Sequence, residues 1–274
     1  MSKLTIIAAA ALAALPLARP IQAAAGVVMT AVDATADANA QPRSETIYLE
    51  PDKIKVTMAQ GGAIYRDGSK MIVTYNDRER SYMEINPAAV SAARAQAMEA
   101  MKQHMAQMPE EQRKRMEALM AQNDPNAAPA KPPQIVYRKV ASGQTVGAWR
   151  CDQYEQSEDG RKVADLCIAR LSDIGMNEND LTAFKGLSSL MNGLSPGAVA
   201  QAHTARLDYD NMKSQIGFAG MPVHTVDYGS NGQMSHETTI KSIQRVSIPA
   251  DTFQVPDGYA KREMGMGMRR GGGG

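Results

Sequence analysis

The chain has 274 residues, 43% hydrophobic but only 5% aromatic, and a formal net charge of +1. Lys3 and Arg19 are the only charges ahead of Gly26, so removing residues 1–25 takes 30 basic residues to 28, against 29 acidic. A near-neutral chain lacks the clustered Lys and Arg that neutralise phosphates, which excludes nucleic acid as the expected partner.

Lys3, an apolar run from Leu4 to Leu17 and the small stretch Ala23-Ala24-Ala25 have the layout of a secretory signal peptide, with cleavage expected after Ala25. The run falls short of the roughly 20 apolar residues a membrane span needs. No cysteine lies near the cleavage point to carry a lipid anchor. The expectation is a periplasmic chain with no transmembrane segment in its mature part.

"GVVMTAVDAT" reads as a first strand and "ADANAQP" as a turn or loop. In "SETIYLEPDKIKVTM" apolar residues recur near period two, broken at Pro51-Asp52. Three short strands follow in "AIYRDGSKMIVTYNDRERSYMEI", parted by the turn dipeptides Asp67-Gly68 and Asn76-Asp77. From Pro87 the pattern changes. Residues 88–122 are rich in Ala, Met, Glu, Gln, Lys and Arg, all good helix formers. Pro109 fits the first position of a second helix, with acids behind it, so a kink or break is expected there. A Pro-rich loop over 123–133 closes the segment.

Strands resume at "QIVYRKVAS" and pass through "WRCDQYEQSEDGRKVADLCIARL". Cys151 and Cys167 are symmetric about Asp159, so a three-residue hairpin loop with Gly160 left-handed would set them opposite each other. Cross-strand partners lie within reach of a disulfide, and an oxidising compartment would close it. The other reading is two separate thiols on neighbouring strands. A second helical region over 178–217 has Asn179 as its N-cap candidate and an interruption from Gly193 to Pro196. A last hairpin turns at Ser230-Asn231-Gly232, and the Met/Gly-rich tail, residues 263–274, reads as disordered. Strands, helix, strands, helix, strands with no internal repeat point to one α+β domain over 26–262. Its antiparallel sheet would have the helical inserts on one face.

No Gly-rich phosphate loop, G-x-S-x-G elbow or H-E-x-x-H helix is present, so no enzyme and no cofactor are expected. His104, His203, His224 and His236 are dispersed and read as surface residues, although His224 and His236 flank one turn and could approach each other. The methionines are the unusual feature. On a helix, Met98, Met101, Met105, Met108, Met116, Leu119 and Met120 share an arc about 120° wide, with Glu99, Lys102, Arg113, Lys114 and Glu117 outside it. Three readings compete: ordinary core, an adaptable apolar surface, or Cu(I) ligation by Met98, Met101, His104, Met105 and Met108, with Met264, Met266 and Met268 of the tail as further thioethers. A stripe about 30 Å long spreads ligands that copper needs at one point.

"DKIKVTM" with "MIVTYNDRERSYMEI", "MPEEQRKRMEALM", "GQTVGAWRCDQYEQSEDGRK", "GMPVHTVDYGSNG" and "SIPADTFQVPDGY" together resemble a family of exported bacterial domains of unknown function grouped with the lipoprotein-carrier (LolA/LolB-like) superfamily. Gly147, Gly220, Pro222, Pro249, Pro256 and Gly258 look like its turn and strand-boundary residues. The resemblance covers nearly the whole mature chain and implies a strongly curved antiparallel sheet, an incomplete barrel, whose concave face is covered by helices. In the carriers that cavity holds acyl chains, although their individual lipid-contacting residues are not identifiable here. The expected function is therefore non-enzymatic binding of a lipid, lipoprotein or other apolar ligand. The Met stripe with Leu187, Leu190, Met191 and Leu194, at helical spacings of three and four, would line the cavity. Copper handling, or an envelope protein that contacts other envelope proteins, is the alternative.

Overall fold

The computed structural model describes residues 24–37, 40–115, 133–194 and 208–263. Its strands are β1 (Ala24–Thr35), β2 (Arg43–Glu50), β3 (Lys53–Met58), β4 (Gly61–Arg66), β5 (Met71–Asn76), β6 (Ser81–Ile85), β7 (Ile135–Val146), β8 (Trp149–Glu158), β9 (Arg161–Arg170), β10 (Gly220–Tyr228), β11 (Met234–Ile248) and β12 (Ala260–Lys261). Its helices include α1 (Pro87–Ala106), α2 (Thr182–Leu194) and α3 (Tyr209–Ile216). All twelve strands form one sheet in the order β12-β6-β5-β4-β3-β2-β1-β11-β10-β9-β8-β7, which is open at both ends. The expected α+β class and antiparallel pairing hold, except that β12 lies parallel to β6. Two residues long, β12 had no pattern by which to be read.

β1 sits mid-sheet. It pairs with β2 (Val27↔Leu49) on one side and, along its whole length, with β11 (Ala24↔Ile248 to Thr35↔His236) on the other. Pro51-Asp52 makes the two-residue turn between β2 and β3, where Glu50 faces Lys53. The next two wider loops close on left-handed Lys70 and Arg80, at the last loop position, and not on the earlier Asp67-Gly68 or Asn76-Asp77 pairs.

Burial in β4 falls on neighbouring residues of opposite faces, Ile64 at 0% and Tyr65 at 2% exposure. One face carries the large core, with Val27, Met29, Leu49, Ile54 and Tyr65 continuing into Tyr154, Leu166 and Val223. The other carries Ile64, Val73, Tyr75 and Ile248 around Phe253. Helices on one face are thus matched by a second cover on the reverse, the segment 249–259 ahead of β12.

Three local expectations need correction. The β8–β9 hairpin turns on two residues, Asp159 and Gly160, both at positive φ, and not on three. An extra residue at Val163 then shifts the register, so Gln153 faces Cys167 and Cys151 lies diagonal to it. The disulfide forms all the same, at a Cα–Cα distance of 5.4 Å, within the range a bridge requires. The N-cap of the second helical region is Asn177, two residues before Asn179: it accepts from a backbone N–H while Asp180 reaches back to the Asn177 N–H, a capping box. The helix break does fall at Pro109, but Pro109 stands just outside the new helix, its carbonyl accepting from Arg113.

Candidate functional site

The helical cover is fixed to the sheet by a few polar clasps. Arg245 of β11 donates to both carboxylate oxygens of buried Asp180 (3.2 and 2.6 Å) and to the Gly175 carbonyl. The turn Glu178–Leu181 therefore stays on the sheet, and α2 starts from it. α2 comes so close to β4 that a Cβ on Gly186 would run into the Asp67 carboxylate and lie 2.7 Å from the Tyr65 hydroxyl. Those two groups are themselves hydrogen-bonded at 2.6 Å. Only glycine fits there. Lys185 pairs with Asp210, tying α2 to α3, and Lys213 pairs with Glu178, tying α3 to the turn ahead of α2. The Gln215 side chain of α3 accepts from the Tyr137 N–H and donates to the Ile135 carbonyl, occupying part of the β7 edge as a strand would.

Beneath this cover lie some of the residues expected to line a cavity. Leu190 is buried, Leu187 and Met191 are half-buried, and the Leu194 side chain lies outside the described residues. On α1, Met105 is buried and Met108, just beyond the helix, is half-buried, whereas Met98 and Met101 are 37% and 39% exposed. Met116, Leu119 and Met120 lie outside the described residues. α1 touches the structure only lightly, through β6 and α2 among the larger contacts. Its stripe is therefore not consumed by the core.

Two clefts lie elsewhere, at residues not expected to form a site. One, of about 590 Å³, runs along the reverse face between β3–β6 and the C-terminal segment. Its floor and rim include Lys53, Arg66, Tyr82 and Glu84, and its roof Phe253, Val255 and Tyr259. The segment is strapped down by Lys55 donating to the Thr252 carbonyl, Arg66 to the Phe253 carbonyl, and Tyr259 to Asp77. Burial lowers the Lys55 pKa, while the hydrogen bond from Lys53 to Glu50 raises that of Lys53. Two aromatics, Phe253 and Tyr259, in a chain with three Phe and nine Tyr were the available hint. The other cleft, about 180 Å³, lies between Ala89, Ala92, Ala93 and Gln96 of α1 and Lys261–Glu263. At 100° per residue this alanine face is opposite Met98, Met101 and Met105. Met264, Met266 and Met268 lie outside the described residues.

The histidines are not brought together. His224 Nε2 lies 2.8 Å from Glu237, His236 Nδ1 lies 3.8 Å from Asp33, His104 is exposed, and His203 is outside the described residues. His224 and His236 are half-buried beside carboxylates, where sequence placed them on the surface. Near Asp33, burial pushes the Glu45 carboxyl above its ordinary value, Asp33 adds to the rise and Arg43 opposes it. Among the described residues no three His, Cys, Asp or Glu side chains are grouped to hold a metal ion, and no helix is long and apolar enough to cross a membrane.

Residues 69–259, from the β4–β5 loop to the end of the C-terminal strap, match the family model described as a domain of unknown function, DUF4412. The chain belongs to this DUF4412 family. The matched span takes in the disulfide hairpin, both helical inserts and the strap. No curated protein matches the chain. Among solved structures, it is similar to an uncharacterised conserved protein from Thermus thermophilus, with 6% identity, 86% of this chain and 89% of the other covered, and a TM-score of 0.43. It is also similar to MucB in complex with MucA(peri), at 9% identity, 85% and 55% coverage and a TM-score of 0.37. The MucA/MucB complex of Pseudomonas aeruginosa gives 11% identity, 86% and 57% coverage and a TM-score of 0.32. The chain spans little more than half the length of these MucB chains, and similarity at this level transfers no site residue.

Proposed function

We propose that this DUF4412 chain is an exported, non-enzymatic binding protein of the LolA/LolB-like kind. It would hold a lipid or other apolar ligand between the sheet and its helical cover, with the methionines of α1 at the rim. The observation that carries the reading is the exposure of Met98 and Met101 on the same helix face as buried Met105, on a helix that touches α2. Thioethers are flexible and polarizable, so a stripe left outside the core is suited to an apolar ligand of variable shape. The sheet is open at both ends and not strongly curled, so the expected incomplete barrel is not formed and the helical cover itself would supply the other wall of the site. The signal-like N-terminus and the Cys151–Cys167 disulfide support a periplasmic setting. One domain over 26–262 followed by the tail is the matching organisation.

Native mass spectrometry of the protein taken from the periplasm without added metal or detergent tests the reading. The expected result is an adduct of several hundred daltons that extracts into organic solvent and is lost in M98K/M101K. Because both positions are exposed, melting should be unchanged within about 0.5 kcal/mol. A copper mass increment would turn the same thioethers into ligands, and a bare wild-type protein would leave them as surface; either result overturns the proposal.

A further inference from the structure

The reverse-face cleft beneath the strap has a polar and aromatic lining, unlike the underside of the helical cover. Its volume of about 590 Å³ falls within the roughly 300–1,000 Å³ usual for small-molecule sites. Lys53 and Arg66 face each other across β3 and β4 at one end. Lys53 Nζ is bonded to Glu50 at 2.8 Å, so its charge is met within the protein. That of Arg66 is not. Its guanidinium is half-buried, gives one N–H to the Phe253 carbonyl at 2.8 Å, and pairs with no carboxylate among the described residues. Glu84 stands two strands across from Arg66 and one pair further on (Arg66↔Met71, then Val73↔Glu84), about 12 Å from Cα to Cα. Lys261 meets its Oε2. Further along β6, the half-buried Tyr82 has no hydrogen-bond partner for its hydroxyl among the described residues. Above it the Tyr259 ring is fixed by its bond to Asp77 at 2.7 Å and an edge contact with Tyr75. Asp257, the other acid of the lining, is exposed on the strap.

A guanidinium drawn partly out of water is costly without a counter-charge. Its planar fork of donors matches a carboxylate, and one uncompensated positive charge suits a monoanion better than a phosphate carrying nearly two. The other end of the cleft offers a hydroxyl, a carboxylate and a ring face. Those groups fit a hydroxylated ring, whose rim exchanges hydrogen bonds and whose C–H faces rest on an aromatic side chain. We propose that this cleft is a second ligand site, for a sugar acid whose carboxylate lies on Arg66, whose hydroxyls meet Tyr82 and Glu84, and whose ring rests against Tyr259. The span from Arg66 to Glu84, shortened by both side chains, is that of one sugar ring with its carboxylate. The site lies on the opposite face of the sheet from the proposed apolar one, so neither reading depends on the other.

NMR titrations at low salt with glucuronate, glucose, acetate and glucose 6-phosphate test the proposal. Glucuronate should give saturable shifts at the Val255 and Gly258 amides of the strap. Glucose and acetate, each lacking part of the contacts, should bind at least about tenfold more weakly. Arg66→Gln keeps a donor for the Phe253 carbonyl and should weaken glucuronate at least about tenfold, the loss expected for a charge-assisted hydrogen bond. Tyr82→Phe keeps the ring and should weaken it about fivefold. Exchange protection of the Ala260 and Arg262 amides, bonded to the Arg80 and Tyr82 carbonyls, shows whether the strap is intact in each variant. The wild-type panel decides the matter even where a variant loosens it. Acetate binding as tightly as glucuronate would make the cleft a bare anion site, and glucose binding as tightly would leave Arg66 without a part. Tighter binding of glucose 6-phosphate would favour a dianion. Each of these overturns the proposal, as does a wild type that does not bind glucuronate or a strapped variant that binds it unchanged.

Discussion

Glu45 shows how one side chain can make the fold pH-dependent. It stands half-buried on β2 near Asp33, and burial raises its carboxyl above the ordinary glutamate value. A folded-state pKa above the unfolded one means the fold disfavours the charged form. The penalty is full above the raised value and is relieved as pH falls through it. Glu45→Gln should therefore raise the melting temperature modestly at pH 7, with the gain shrinking as pH approaches 4.5, where the unfolded glutamate also takes up its proton. Thermal melts of both proteins at half-unit steps would check this. A lower melting temperature for the variant at pH 7 would mean that the attraction to Arg43 outweighs burial. Nothing in the sequence marked Glu45, because its setting depends on a β1–β2 register that brings residues 33 and 45 together from either side of a loop. Gly186 is a similar case: read inside a helical pattern it is only a weak point, and its need appears once Tyr65 and Asp67 lie beneath it.

Among the elements, those with a regular period were legible and those held by side chains were not. The β2–β6 meander, the Pro109 break and the last hairpin follow from alternation and turn chemistry in the sequence. The strap does not, since "PADTFQVPDGY" has no period, and it is held by Lys55 and Arg66 donating to its carbonyls and by Phe253 buried at 2% exposure. The Met stripe was legible as a stripe, but how far a helix sinks into a core is a tertiary matter, so the exposure of Met98 and Met101 was not. Phe253→Ala should destabilise the protein by about 3–4 kcal/mol in urea unfolding. It should also free the strap, which hydrogen exchange at the Ala260 and Arg262 amides, bonded to the Arg80 and Tyr82 carbonyls, would record. A loss below about 1 kcal/mol with those amides still protected would show that the polar clasps alone hold the strap.

For the molecule as a whole, residue patterns pointed to a single antiparallel sheet and to the two cysteines meeting, but not to the order of strands. That order depends on which edges of two separate meanders face each other. β1–β6 and β7–β11 are each built from neighbours in sequence, and they join only along β1 and β11. The cysteine pairing came out right on a wrong register because a diagonal pair is also within bridging distance. The bulge that made it diagonal left no mark in the sequence.

The placement of β12 gives this join an unusual property. Strand to strand, the C-terminal half meets the N-terminal half twice, at β11 against β1 and, after crossing the reverse face, at β12 against β6, the opposite edge of the same meander. The N-terminal half is held like a page between the jaws of a clip. Two separate polypeptides, cut in the stretch between residues 116 and 132, should therefore find each other and reassemble, since every contact that unites them is noncovalent and the disulfide stays within the second piece. Co-purification of a tagged first piece with the second is the expected result, lost when the second is shortened to end at Ile248. If the shortened piece bound as tightly, the β1–β11 join would be sufficient and the clip incidental. An intact pair would in effect be a two-part protein whose halves could be supplied, labelled or released independently.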